Sequence, residues 1–179
     1  PYLRKPPLYN WLIVASSLLT GEFNEFSSRI LTVLSVIALG GLTFYYSRKH
    51  FSSRRALLLA FIVMTSGRIL IFDSFLGLID TAHAVVIYWL FMVIYHNYSK
   101  GQFWSLFILS YLLTAVGFLM KGLPAIVFQG VTLLEFFVSE RQFRKLLSVQ
   151  HFVGIILFLT VTGTYYYLYL ERNDLIFSD

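Results

Sequence analysis

The 179-residue sequence contains no cysteine, which removes disulfides and thiolate chemistry and leaves the redox compartment unmarked. Charge is scarce. Asp, Glu, Lys and Arg make up 13% of the chain, against about 25% in a typical soluble domain. No polar stripe at helical spacing interrupts segments such as 30–46, 103–120 and 152–170, which argues against a soluble helical bundle. Segments of about ten residues alternating apolar and polar, the mark of a membrane β-barrel, are missing too. So are a Gly-rich phosphate loop, an HExxH helix and a Gly-x-Ser-x-Gly nucleophile elbow. The chain opens at Pro1 with neither an initiator Met nor a signal peptide, so the expectation is an internal piece of a longer protein.

What remains is apolar. Hydrophobic residues account for 58% of the chain, and the mean hydropathy is +0.72. A helix needs roughly 20 apolar residues to cross about 30 Å of hydrocarbon. There it satisfies every backbone N–H and C=O within its own segment. The reading is an all-α, polytopic membrane helix bundle with about six spans, at 28–46, 55–71, 75–97, 103–120, 123–138 and 148–170. Residues 8–20 are apolar but short, and suit a helix lying in the interface. Pro6 and Pro7 suit its first turn, Gly21 can close it, and Tyr9 and Trp11 belong at headgroup depth. Two regions follow: an external juxtamembrane segment, 1–27, and a transmembrane bundle, 28–179, forming part of one larger membrane domain.

The net charge of +5 points to the membrane and not to nucleic acid, because the cations sit in short loops between apolar spans. Arg48, Lys49, Arg54 and Arg55 form one cluster, Lys100 lies two spans on, and Arg141, Arg144 and Lys145 two spans further. All fall on one face, which the positive-inside rule makes cytoplasmic. The other face receives Arg4, Lys5, Glu22, Glu25, Arg29, Arg68, Asp73, Lys121 and the tail from Glu171 to Asp179. That mixed-sign rim is where chemistry is expected.

Each candidate there has a plain structural explanation beside the functional one. Asp73 follows Arg68 between two spans: the two form a boundary ion pair with Arg68 reaching to water, or Asp73 is a carboxylate facing an external active site. Asp80 and His83 lie three apart on one helix face, inside the bilayer, where ionisable groups are costly and turn to the bundle interior. They either satisfy each other or line the floor of a substrate cavity; alone they are too few to hold a metal. Lys121-Gly122-Leu123-Pro124 reads as a tight helical hairpin, with Lys121 simply solvated or held out to a phosphate. Lys5, just before Pro6-Pro7, is a cation at the depth of a lipid-carried phosphate, where ordinary headgroup attraction would also place it. Glu135 snorkels or pairs with the basic loop, and Gly40-Gly41 suits close helix packing.

Taken in order, Lys5-Pro6-Pro7-Leu8-Tyr9-Asn10-Trp11-Leu12, Gly21, Glu25-Phe26-Ser27-Ser28-Arg29, Phe72-Asp73-Ser74 and Gly117-Phe118-Leu119-Met120-Lys121-Gly122 resemble a family pattern. It is that of the membrane glycosyltransferases of the protein-O-mannosyltransferase and aminoarabinose-transferase type, with the GT-C fold. The resemblance implies transfer of a sugar from a polyprenyl-phosphate-linked donor to an acceptor lipid, glycan or protein, usually with inversion. It places that chemistry at the periplasmic face of a bacterial inner membrane. By the same resemblance Lys5 would contact the donor phosphate and Asp73 would be the catalytic carboxylate. Arg29 and Lys121 would be motif positions in support, alongside Arg68, Asp80 and His83. The family's principal acidic motif would lie upstream of Pro1, so these 179 residues alone are expected to be inactive. Arg4 stands where aminoarabinose-type members carry a Glu. No metal ligand is assigned, though a divalent metal in the full-length protein stays open. A small-solute or lipid transporter running through Asp73, Asp80 and His83, or a non-catalytic membrane subunit, is the alternative. A transporter should carry its polar groups near the midplane and show inverted repeats, and neither is evident.

Overall fold

The computed structural model describes residues 6–73 and 79–173, without the side chains of Leu70, Phe72 and Asp73. Among the described residues the protein is all helical. Its α-helices are α1 (Leu8–Thr20), α2 (Glu25–Ser47), α3 (Ser53–Met64), α4 (Ile79–Ser99), α5 (Phe103–Lys121), α6 (Pro124–Ser139) and α7 (Val149–Arg172). A π-helical turn, Arg68–Asp73, follows α3, and a 3-10 turn, Phe143–Leu147, precedes α7.

Four helices, α2, α4, α5 and α7, are long and apolar enough to cross a bilayer, so the protein is an integral, polytopic membrane protein. At 1.5 Å per residue the 23 residues of α2 reach about 34 Å. Two of the expected spans are shorter. The 16 residues of α6 reach about 24 Å, because Pro124 opens the helix and the chain turns at Glu140. The 12 residues of α3 reach about 18 Å, and the α-helical pattern ends at Thr65. The helix expected at residues 8–20 forms over those residues. It is closed by Gly21 in the left-handed region, at φ 79°, which glycine adopts without the Cβ clash.

The surface inverts the soluble pattern. Leu57, Phe61 and Ile62 on α3 and Ile156 and Leu159 on α7 point outward, each more than half exposed, whereas Ser110, Thr114, Gln129 and Thr162 are buried. Lipid accepts apolar side chains, and the hydroxyls bond back to their own helices. Thr43, Thr114, Thr160 and Thr162 each donate to the carbonyl four residues earlier at 2.8 Å. None needs water.

The chain divides into two compact units, residues 7–89 and residues 90–173 joined by Pro6, with the boundary inside α4. In the first unit α1 and α3 both pack on α2. Ala56 and Ala60 of α3 are buried, and Gly40 of α2 gives its space to the Met64 side chain. Gly41, by contrast, meets nothing within 4 Å, so only one of the two glycines serves packing.

In the second unit α5 packs on α6 and α7. The core joins Leu90, Ile94, Leu106, Phe107, Leu133 and Phe137, with Phe107 and Phe137 stacked 5.8 Å apart. His151 of α7 stacks on the other side of Phe107, at 4.9 Å. Its Nδ1 lies 2.6 Å from the Leu146 carbonyl and its Nε2 2.6 Å from the Tyr111 hydroxyl. A carbonyl only accepts, so Nδ1 carries the proton and, in the neutral ring, Nε2 accepts from Tyr111. Gly154, one turn on, makes room for the Tyr111 ring: a Cβ there would stand 2.3 Å from ring atom Cδ2.

That contact generates a test. Gly154→Ala should displace Tyr111, break its bond to His151 and cost about 1–3 kcal/mol. Gly163→Ala on the same helix, where nothing lies within 4 Å, should be neutral or stabilising through helix propensity. Thermal unfolding in detergent should therefore fall by several degrees for the first variant and not for the second.

Candidate functional site

The rim residues fall into both units. In the first, the start of α2 is fixed by a capping box. Ser27 N–H donates to Asn24 Oδ1 at 3.0 Å, and Asn24 N–H donates to Ser27 Oγ at 3.2 Å. Two hydroxyls of α1 reach the same point: Ser16 donates to the Ser27 carbonyl at 2.5 Å and Ser17 to Ser27 Oγ at 3.2 Å. This polar knot ties α1 to α2 where the first four N–H groups of α2 would otherwise be orphaned. Arg29 emerges one turn beyond it and pairs with Glu25 at 3.1 Å. The pair is well exposed, so it orients Arg29 more than it stabilises the fold. Tyr9 of α1 is buried to 7% exposure. Burial pushes its hydroxyl above the usual phenol range, with the nearby Thr32 side chain opposing the shift.

The π-helical turn carries the next two candidates, Arg68 at its start and Asp73 at its end. π-helical geometry is rare and recurs at functional sites. Arg68 is exposed; of Asp73 only the backbone is described. Asp80 opens α4 in its first turn, where a carboxylate complements the positive end of the helix dipole. It is half-buried, while His83, one turn on, is 5% exposed. The pair expected on one face therefore points inward, and both residues engage other groups.

The second unit carries Lys121, exposed at the last position of α5. Gly122 caps that helix at φ 87°, ψ −142°, a conformation essentially confined to glycine. Pro124 then starts α6 with no N–H to lose. The expected tight hairpin is thus what forms, and the Pro6 ring packs on it, 3.8 Å from where a Gly122 Cβ would stand. Lys5 itself lies outside the described residues; its neighbour Pro6 is the residue seated on the Gly122 turn. At the opposite end of this unit, Lys145 lies 4.3 Å over the Phe103 ring. That contact joins the Lys100 turn to the 141–147 connection on one face, as the charge pattern requires.

Sequence reasoning missed several residues. Asn24-x-x-Ser27 before an apolar run is a legible capping signal, and Ser16 and Ser17 needed the fold to be seen. Gln129 donates to Ser110 Oγ at 3.3 Å between α6 and α5. The Tyr111–His151 pair had only the three-residue spacing of His151 and Gly154 to announce it. Glu135, expected to snorkel or to pair with the basic loop, is exposed and accepts from Ser139 at 3.1 Å. No group of three metal-ligating side chains occurs among the described residues.

Gly122→Ala forces a Cβ into a glycine-only conformation at a cost of about 1–3 kcal/mol. It should lower the unfolding temperature by several degrees and increase protease cleavage around residues 120–124.

A protein-family model described as dolichyl-phosphate-mannose-protein mannosyltransferase matches residues 4–167. No curated protein and no solved structure gives a significant match.

Proposed function

Since the chain belongs to the dolichyl-phosphate-mannose-protein mannosyltransferase family, and is thus a glycosyltransferase using a polyprenyl-phosphate-linked sugar, we propose that its mixed-charge rim performs the transfer. In this reading Asp73 is the general base. It takes the proton of an acceptor hydroxyl on a lipid, glycan or protein as the oxygen attacks the anomeric carbon. The bond from that carbon to the phosphate oxygen breaks, and polyprenyl phosphate leaves with its charge held by Lys5. One displacement of this kind inverts the anomeric centre. Arg29, Arg68 and Lys121 are read as supporting cations for the phosphate. Asp80 and His83 line the polar floor below.

What supports this reading is the packing of Pro6 on Gly122. It sets Pro6 of the Lys-Pro-Pro element against Gly122 of the Lys-Gly element, 116 residues away in sequence, at one hairpin of the second unit. A lysine at a helix end on a membrane rim suits a phosphate whose lipid stays in the bilayer.

We further read α2, α3 with its continuation to Asp73, α4, α5, α6 and α7 as six spans. The Lys121 turn then faces the periplasm of a bacterial inner membrane. A divalent metal, if the full-length protein uses one, would draw ligands from beyond the residues assigned here.

Full-length protein assayed for sugar transfer from a polyprenyl-phosphate donor should lose about 10²–10⁴-fold in kcat on Asp73→Asn, as expected for loss of a general base. Lys5→Ala should raise the donor KM and lower kcat together. Wild-type turnover in both variants would overturn these roles.

A further inference from the structure

Two turns on the same face of the second unit close their helices in the same way. At the end of α4, Gly101 N–H donates to the Tyr98 carbonyl at 3.0 Å and Gln102 N–H to the Asn97 carbonyl at 2.9 Å. At the end of α6, Arg141 N–H donates to Val138 at 3.0 Å and Gln142 N–H to Phe137 at 2.9 Å. Both are Schellman closures, whose central residue takes a left-handed backbone and is ordinarily glycine or asparagine. The first turn obeys, with Gly101 at φ 67°; the second places Arg141 at φ 53°. Among the described residues Arg141 is the non-glycine residue held at positive φ, a strain that helix closure alone does not call for.

The strained turn opens a cleft of about 510 Å³, lined by Arg141, Gln142, Phe143, Arg144 and Lys145. Lys145 is engaged with the Phe103 ring. Arg141 and Arg144 are exposed, and among the described residues no salt bridge or ring contact occupies either guanidinium. The nearby acids do not neutralise them: Glu135 is bonded to Ser139, and Glu140, though adjacent in sequence, forms no ion pair with them. The flanking side chains are apolar and outward, with Phe143 53%, Leu147 76% and Val149 69% exposed. Two open guanidiniums over a rim of exposed Phe and Leu match one class of molecule, a phosphate with acyl chains beside it. Guanidinium binds phosphate through paired N–H donors, and the apolar residues enter the acyl boundary.

We propose that the α6–α7 connection is a binding site for the headgroup of an anionic phospholipid such as phosphatidylglycerol, held by Arg141 and Arg144. It lies at the opposite end of the second unit from the Lys121 turn and is separate from the transfer chemistry.

The test uses the full chain in detergent, titrated with phosphatidylglycerol or phosphatidylcholine and read by native mass spectrometry. Wild type should retain phosphatidylglycerol preferentially. Arg144→Gln should weaken that retention about five-fold, and Arg141→Gly with Arg144→Gln by about 20-fold, following the contribution of one surface cation. Arg141→Gly alone separates binding from folding, because it relieves the left-handed strain. Its unfolding temperature should hold or rise while its lipid retention falls. Arg54→Gln with Arg55→Gln removes the same charge from another loop and should leave retention unchanged. Equal loss in that control would show diffuse attraction and overturn the site. Displacement of the lipid by millimolar inorganic phosphate, or equal retention of phosphatidylcholine, would overturn the assignment to a lipid.

Discussion

Hydrocarbon offers no hydrogen bonds, and that one condition organises the molecule. Each span must close its own backbone, and a buried side-chain donor gains from a partner inside the protein. The outcome is visible at single residues. Thr114 donates to the Ser110 carbonyl and Gln129 to the Ser110 hydroxyl, so three polar side chains inside the second unit need no water. His151 is held between the Leu146 carbonyl and the Tyr111 hydroxyl. The charged residues cannot be accommodated this way and are driven to the helix ends.

Turns and helix ends are therefore where the charge of this protein gathers. Their backbones decide how each charge is presented. Gly122 takes a conformation closed to other residues and leaves Lys121 at the last helical position, with Pro6 against the turn. Asn24 and Ser27 close the N-terminus of α2, so that Arg29 leaves the helix at a fixed point one turn on. Arg141 reverses the logic: a cation occupies the position that a glycine fills in the matching turn at Gly101. Where backbone preference and side-chain chemistry conflict, the conflict marks the residue as kept for its side chain.

Much of this was legible in the sequence, and the reason is periodicity and punctuation. Gly21 and the Gly122–Pro124 break marked the helix ends beside them to within a residue or two, since glycine and proline act locally. The three-residue spacing of Asp80 and His83 marked them as neighbours on one helix, where His83 is buried and Asp80 half-buried in the first turn of α4. Illegible were the features that depend on what packs against what. A 17-residue apolar stretch at 55–71 gave no sign that the α-helix would stop at Met64 and resume as a π-helical turn, because hydropathy is blind to hydrogen-bond register. Nor could spacing show that Gly154 serves the ring of Tyr111, 43 residues earlier in the chain. Arg141 was read as loop charge, and only its φ distinguishes it from its neighbours.

The π-helical turn has a consequence of its own. Backbone departing from the α-helical pattern at membrane depth is tolerated where it is buried in protein or borders a polar cavity, and not where it faces lipid. The α3 helix covers about 18 Å, so the segment from Thr65 onward leaves the regular pattern before a 30 Å hydrocarbon layer has been crossed. Thr65 donates its hydroxyl to the Phe61 carbonyl at 2.7 Å, and Ser66 N–H reaches Val63 at 3.3 Å, so the bonding is already loosening there. Six residues of π-helix ending at an aspartate would be a poor lipid-facing wall. The same segment is better suited to bordering protein or water, and Arg68 at its start is exposed.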